Sequence, residues 1–204
     1  MKRTIHDIEQ NTDEWFQLRM GKVTASNFST VMANFGKAFG KPALDYAMRI
    51  AIESVTRIAI ETYHNDWMER GKVLEQEARE QYEAKMFTEV HPGGMATSGR
   101  YGASADGQTE DNGVVEIKCV KYSTHFQRLV HGDIDLAYKW QVRGQMWLYD
   151  VDYCDFISYC PEMPYDKRLY TCRVMRDKSL EGDLQARLDD LLLKVDMYTK
   201  ILES

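Results

Sequence analysis

The chain has 204 residues, 44% of them hydrophobic and 28% charged, enough for one compact domain, 1–204, with a sizeable core. No apolar run is long enough to cross a bilayer, and no apolar segment follows the basic start, so no membrane role is expected and the cytoplasm is the expected location. A net charge of −6 weighs against a general DNA-coating protein. It does not weigh against an enzyme with a metal site, because such sites concentrate carboxylates and a local basic surface coexists with an acidic exterior.

In chain order, Asn11 and Glu14 have capping-box spacing ahead of Trp15 and Leu18, which predicts a short helix ending near Gly21. Thr24 or Ser26 caps a second helix carrying Phe28, Val31 and Met32. Asn34 to Pro42 reads as a glycine-rich basic loop, in which Lys37, Lys41, Phe35 and Phe39 combine charge with aromatic faces. The helix after it sets Leu44, Ala47, Met48, Ala51, Val55 and Ile58 on one face. Another helix runs from about Asp66 to Ala84, with Trp67, Gly71, Leu74, Ala78 and Tyr82 as its stripe. Strand patterns follow at Phe87–Val90, Tyr101–Ala105, Val114–Val120, Val151–Cys160 and Arg168–Met175, with a turn at His91-Pro-Gly-Gly94. Helical patterns cover Ser123–His131, Leu136–Tyr149 and Leu180–Leu202. The expected class is α/β, a central mixed sheet flanked by helices.

Chemistry concentrates in Ser104-Ala-Asp-Gly107 and Val114-Val-Glu-Ile-Lys-Cys119. A hairpin between them sets Asp106 near Glu116. Glu116 and Lys118, two residues apart, share one face of the strand, while Val115, Ile117 and Cys119 take the face toward the core. Two carboxylates suit Mg²⁺, a hard cation that takes oxygen ligands. Such an ion acidifies a bound water and offsets charge on a phosphate, and an ammonium beside it orients that water. The plainer alternative is a solvated hairpin that happens to show Glu and Lys. The apolar flanks favour the metal site, because a Glu and a Lys in a buried strand are costly without a purpose.

Beyond this core, Trp15-Phe-Gln-Leu-Arg-Met-Gly-Lys-Val-Thr-Ala-Ser26, Glu69-Arg-Gly-Lys-Val-Leu-Glu75 and Gln141-Val-Arg-Gly-Gln-Met-Trp147 stand in order along the chain. Together with Asp106 and Glu116-Ile-Lys118 they resemble the phage lambda exonuclease and YqaJ-type viral recombinase family. That family lies within the PD-(D/E)xK nuclease superfamily, here with Ala105 where the pattern has Pro. The resemblance spans about Trp15 to Tyr149 and implies a restriction-endonuclease-like core. It implies a metal-dependent 5′-to-3′ exonuclease on double-stranded DNA that releases 5′-mononucleotides and leaves a 3′ single strand for annealing-type recombination. By resemblance Asp106, Glu116 and the Ile117 carbonyl hold Mg²⁺ (two ions, with Mn²⁺ as substitute), Glu75 helps through a water, Lys118 acts on the nucleophile and Gln141 supports the site. Arg19, Ser26 and Ser104 form the pocket for a DNA 5′-phosphate, and the partners implied are a homotrimer and a single-strand annealing protein. A guanidinium fork and amides at a helix start near Thr24 and Ser26 suit a phosphate.

Other readings are a restriction-type or RecB-type nuclease and a catalytically inactive DNA-binding relative. The Arg19 and Thr24-Ala-Ser26 motif disfavours the restriction type, and the full set Glu75, Asp106, Glu116 and Lys118 disfavours decay. The cysteines Cys119, Cys154, Cys160 and Cys172 lack metal spacing and read as reduced thiols. The five histidines read as surface or loop residues, and Leu136, Trp140, Trp147, Leu148 and Tyr149 as core packing on one helix.

Overall fold

The computed structural model describes residues 2–60 and 66–204, and all of their side chains but those of residues 66–69 and 72. His64 and the side chains of Trp67 and Glu69 therefore lie outside the described residues. The elements run β1 (Thr4–His6), α1 (Asp13–Arg19), β2 (Val23–Thr24), α2 (Phe28–Met32), α3 (Lys41–Thr56), α4 (Asp66–Met86), β3 (Val90–His91), β4 (Met95–Ser98) and β5 (Tyr101–Ala103). They continue with β6 (Gly107–Thr109), β7 (Gly113–Cys119), α5 (Tyr122–His131), α6 (Leu136–Tyr149), β8 (Tyr153–Tyr159), β9 (Leu169–Met175) and α7 (Lys178–Glu203).

The strands make two mixed sheets, ordered β1-β4-β5-β2 and β3-β6-β7-β8-β9. β7 and β8 pair in parallel through seven residues, from Gly113↔Tyr153 to Cys119↔Tyr159. A parallel pair needs a crossover, and α5 and α6 supply it. Alternation then divides the strand residues between two cores. Val114, Cys154 and Phe156 join the larger one, with α2, α3, α6 and α7, while Val115, Ile117, Ile157 and Tyr159 pack on Ala78 and Tyr82 of α4. Helices thus cover both faces of the five-stranded sheet, as expected for an α/β chain. No helix among the described residues is long and apolar enough to cross a membrane.

Several local expectations are corrected. Thr12, not Asn11, caps α1, its hydroxyl accepting from the Trp15 amide, while Asn11 turns the chain at φ +67°. The segment after Thr24 forms a single tight turn, Ala25–Asn27, with no side-chain cap. The Thr24 amide is taken by the Tyr46 hydroxyl at 2.8 Å, so this turn does not offer a bare helix start to an anion. The buried face of α3 is Ala43, Tyr46, Ala47, Ile50 and Ala51, whereas Met48 and Val55 are exposed and Ile58 lies beyond the helix. Small alanines let α3 lie against α7, and the Tyr46–Thr24 bond fixes its rotation.

The strand expected at Phe87–Val90 shrinks to Val90–His91, because α4 runs to Met86 and Phe87 ends it exposed at φ +54°. β1, β2 and β4 were not foreseen: each is two to four residues, β1 and β2 are held by partners far along the chain, and β4 forms a tight hairpin with β5. His125 is fully buried on α5, bonded to Ser158 Oγ and the Lys167 carbonyl at 2.8 Å each, contrary to a surface reading. Leu136 is exposed at the start of α6, while Trp147, Leu148 and Tyr149 are core and Trp140 packs at its edge. In the basic loop, Phe39 stacks under the Arg187 guanidinium of α7 at 3.7 Å, while Phe35, Lys37 and Lys41 are exposed.

Candidate active site

β6 and β7 form the expected hairpin, with Gly107 opposite Val115. Asp106 lies one residue before β6, and its carboxylate accepts from the Ile117 amide at 2.6 Å. A strand residue sends its N–H and C=O to the same side, so the Ile117 carbonyl also faces the edge that β6 leaves open. Glu116 points to the opposite face, under α6, and is 1% exposed. Gln141 donates to its Oε1 at 2.5 Å, Gln145 one turn later donates to its Oε2, and Lys118 forms an ion pair with Oε1. Gly144 lets α6 pack tightly on α2, since a Cβ there would lie 2.3 Å from the Phe28 ring.

α4 contributes from the other side. Arg79 donates to the Asp106 carbonyl at 2.7 Å and reaches Glu75 at 3.5 Å, tying that helix to the β6 edge. From the N-terminal segment, Trp15 donates its indole N–H to Ser104 Oγ at 2.8 Å, and the Arg19 guanidinium lies 4.1 Å over the Trp15 ring. Arg19 Nη2 meets Thr24 Oγ1 at 3.4 Å, and Thr24 Oγ1 meets Ser26 Oγ at 3.3 Å.

One cleft of about 390 Å³ is lined by all of the expected residues: Arg19, Ser26, Glu75, Ser104, Asp106, Glu116, Ile117, Lys118 and Gln141. A larger, more open groove of about 700 Å³ lies between His6–Ile8 and α1 and contains none of them, so size does not identify the site here. Elsewhere, the exposed Glu89, His91 and Glu110 set their donor atoms within 4.8 Å of one another, a grouping the sequence did not suggest.

Electrostatics mark the first cleft. Burial, then the charges of Glu116 and Glu75, push the Asp106 carboxyl well above its ordinary value against the pull of Lys118. Burial also raises Glu75, with Arg79 and Lys118 opposing. Burial alone would lower Lys118, but Glu116 and Asp106 overcome it and hold the ammonium above its usual value. Burial, with Glu75 and Asp106, pushes the Cys119 thiol to about 12, which leaves it inert. Three carboxylates meet in this cleft, and their all-oxygen donors suit Mg²⁺.

Sequence reasoning missed Arg79, Gln145 and the part played by Trp15. Arg79 lies at i+4 from Glu75, and Gln145 at i+4 from Gln141, so helical spacing was the available signal.

A sequence model of the YqaJ-like viral recombinase domain matches residues 14–152. The chain is 29% identical to an alkaline exonuclease from Laribacter hongkongensis, over 94% of this chain and 96% of that one, with a TM-score of 0.85. The complex of that exonuclease with dAMP gives 30% identity over the same shares and a TM-score of 0.86. A phage-related exonuclease from Haemophilus somnus shares the fold at 15% identity and a TM-score of 0.71, over 89% of this chain and 95% of that one. None of the curated proteins compared matches the chain.

Proposed function

The chain belongs to the YqaJ-like viral recombinase domain family, and from that premise we propose that it is a metal-dependent exonuclease that digests double-stranded DNA from a 5′-phosphate end. A nuclease role is supported by the family and by the alkaline exonuclease relative. The observation that carries the finer reading is that a single cleft joins the Asp106, Glu116, Glu75 and Lys118 set to Arg19, Ser26 and Ser104. Hydrolytic and phosphate-binding groups in one cleft suit cleavage next to a terminal phosphate. The relative's complex with dAMP fits release of mononucleotides.

In this reading Asp106, Glu116 and the Ile117 carbonyl would hold Mg²⁺, with Mn²⁺ as substitute, and Glu75 would support it. When bound, the ion acidifies a water and offsets charge on the phosphate. Gln141 and Gln145 fix both oxygens of Glu116, so the carboxylate cannot rotate away. Lys118, paired with Glu116 at the cleft, acts on the nucleophile, its ammonium orienting the attacking water. Arg19 receives the terminal phosphate, with the Ser26 and Ser104 hydroxyls beside it. Trp15 already donates to Ser104 Oγ, which frees the serine proton to point into the cleft.

A ring-shaped homotrimer and a single-strand annealing protein as partner complete the proposal, on family grounds. The test is linear duplex DNA with Mg²⁺, labelled at either end. Stepwise release of mononucleotides from the 5′ end is expected, and none with chelator. Nicking of closed circular DNA with no end dependence would overturn the exonuclease reading.

A further inference from the structure

Gln145 is fully buried, and its amide nitrogen has two acceptors, Glu116 Oε2 and, at 3.0 Å, the Ser104 carbonyl. The first lies in the carboxylate set and the second in the segment that forms one wall of the proposed phosphate pocket. Its Oε1 is buried and has no hydrogen-bond partner among the described residues. A buried amide oxygen without a donor is costly, so packing alone would favour an apolar side chain of the same size. Gln141 differs: its amide reaches Glu116 but is not bonded to Ser104.

From these contacts we propose that Gln145 is a positioning residue that locks Glu116 and the Ser104 wall together, so that the carboxylate set and the phosphate pocket keep one fixed separation. One amide held by both leaves little room for either to shift without the other. An end-directed nuclease needs that separation constant, because the seated phosphate decides which bond lies over the carboxylates. The inference rests on the nuclease reading above.

The test compares Gln145→Met, which keeps the size and removes both donors, with Gln141→Met, which removes only the contact to Glu116. Two readouts are taken: Mn²⁺ binding by calorimetry without DNA, and the ratio of kcat/KM for 5′-phosphate over 5′-hydroxyl duplex. Gln145→Met is expected to weaken Mn²⁺ binding by about 10–100-fold, the usual effect of removing a group behind a metal ligand, and to lower the phosphate preference. Gln141→Met is expected to weaken Mn²⁺ binding and to keep the preference. If Gln145→Met does not fold, Gln145→Asn, which keeps the amide and shortens its reach, is read on the same two scales.

Mn²⁺ affinity and end preference both within twofold of the parent would overturn the positioning role. So would a Gln141→Met enzyme that loses the preference equally, since the Ser104 contact would then carry nothing of its own. The underlying reading fails separately, and visibly, if Glu116→Ala binds Mn²⁺ as well as the parent does.

Discussion

Replacing Arg19 tests how the cleft chooses its substrate end. Among the described residues only its Nη2 is engaged, to Thr24 Oγ1 at a long 3.4 Å, so most of the guanidinium fork is free for a ligand. Burial lowers its pKa from a very high starting value, and the group stays charged. A hydrogen bond between charged partners contributes about 1.5–3 kcal/mol, and about 1.4 kcal/mol is tenfold in rate. Duplex with a 5′-phosphate should therefore be degraded about tenfold to a hundredfold faster than duplex with a 5′-hydroxyl. Arg19→Ala should erase most of that preference by slowing the phosphorylated substrate alone. Arg19→Lys, which keeps the charge but loses the planar fork, should retain part of it.

The assay is kcat/KM on the two substrates at one fixed salt concentration, because DNA affinity falls steeply with ionic strength. It should run well below the melting temperature, since loss of the stack on Trp15 costs about 0.5–1 kcal/mol of stability. An Arg19→Ala enzyme that keeps the full preference would place the phosphate elsewhere. A parent enzyme with no preference would refute the end-recognition reasoning altogether.

Asp106→Ala and Glu116→Ala should abolish hydrolysis at saturating Mg²⁺ while the circular dichroism spectrum stays native, since both side chains serve the cleft and not the core; near-normal turnover in either would remove the site assignment. Lys118→Ala should retain Mg²⁺ and DNA binding and lose the chemical step, and a loss of DNA affinity alone, read in single-turnover kinetics, would make it a phosphate contact. His125 supplies a stability prediction. Burial depresses its pKa below the ordinary 6.5, with the Lys167 carbonyl opposing. Below that ordinary value the unfolded chain binds the proton that the folded chain refuses, so stability is full above it and declines as pH falls, by at most about 1.4 kcal/mol per pH unit. Urea midpoints at pH 7.5 and 5.5 should differ less in His125→Gln than in the parent, and an unchanged difference would exonerate this histidine.

Much of this protein was legible in its sequence. The period-2 pattern of Val114 to Cys119 placed Glu116 and Lys118 on one face, and Leu136–Tyr149 was bounded as the structure has it, because both signals are local. The motif residues from Trp15 to Gln141 do converge on one cleft.

What the sequence could not supply was decided by distant partners. The sequence marks Glu116 as lying in a buried strand but not what covers it; α6 closes over it and leaves the carboxylate 1% exposed between two glutamines. Gln145 and Arg79 look like ordinary helix residues until α6 and α4 bring them to Glu116, Ser104 and Asp106. Likewise β1 and β2 pair only with β4 and β5, which lie far along the chain. Local periodicity fixes which side of an element a residue occupies. What lies opposite that side depends on how elements far apart in the chain pack, and here that packing turned two polar helix positions into the supports of the candidate site.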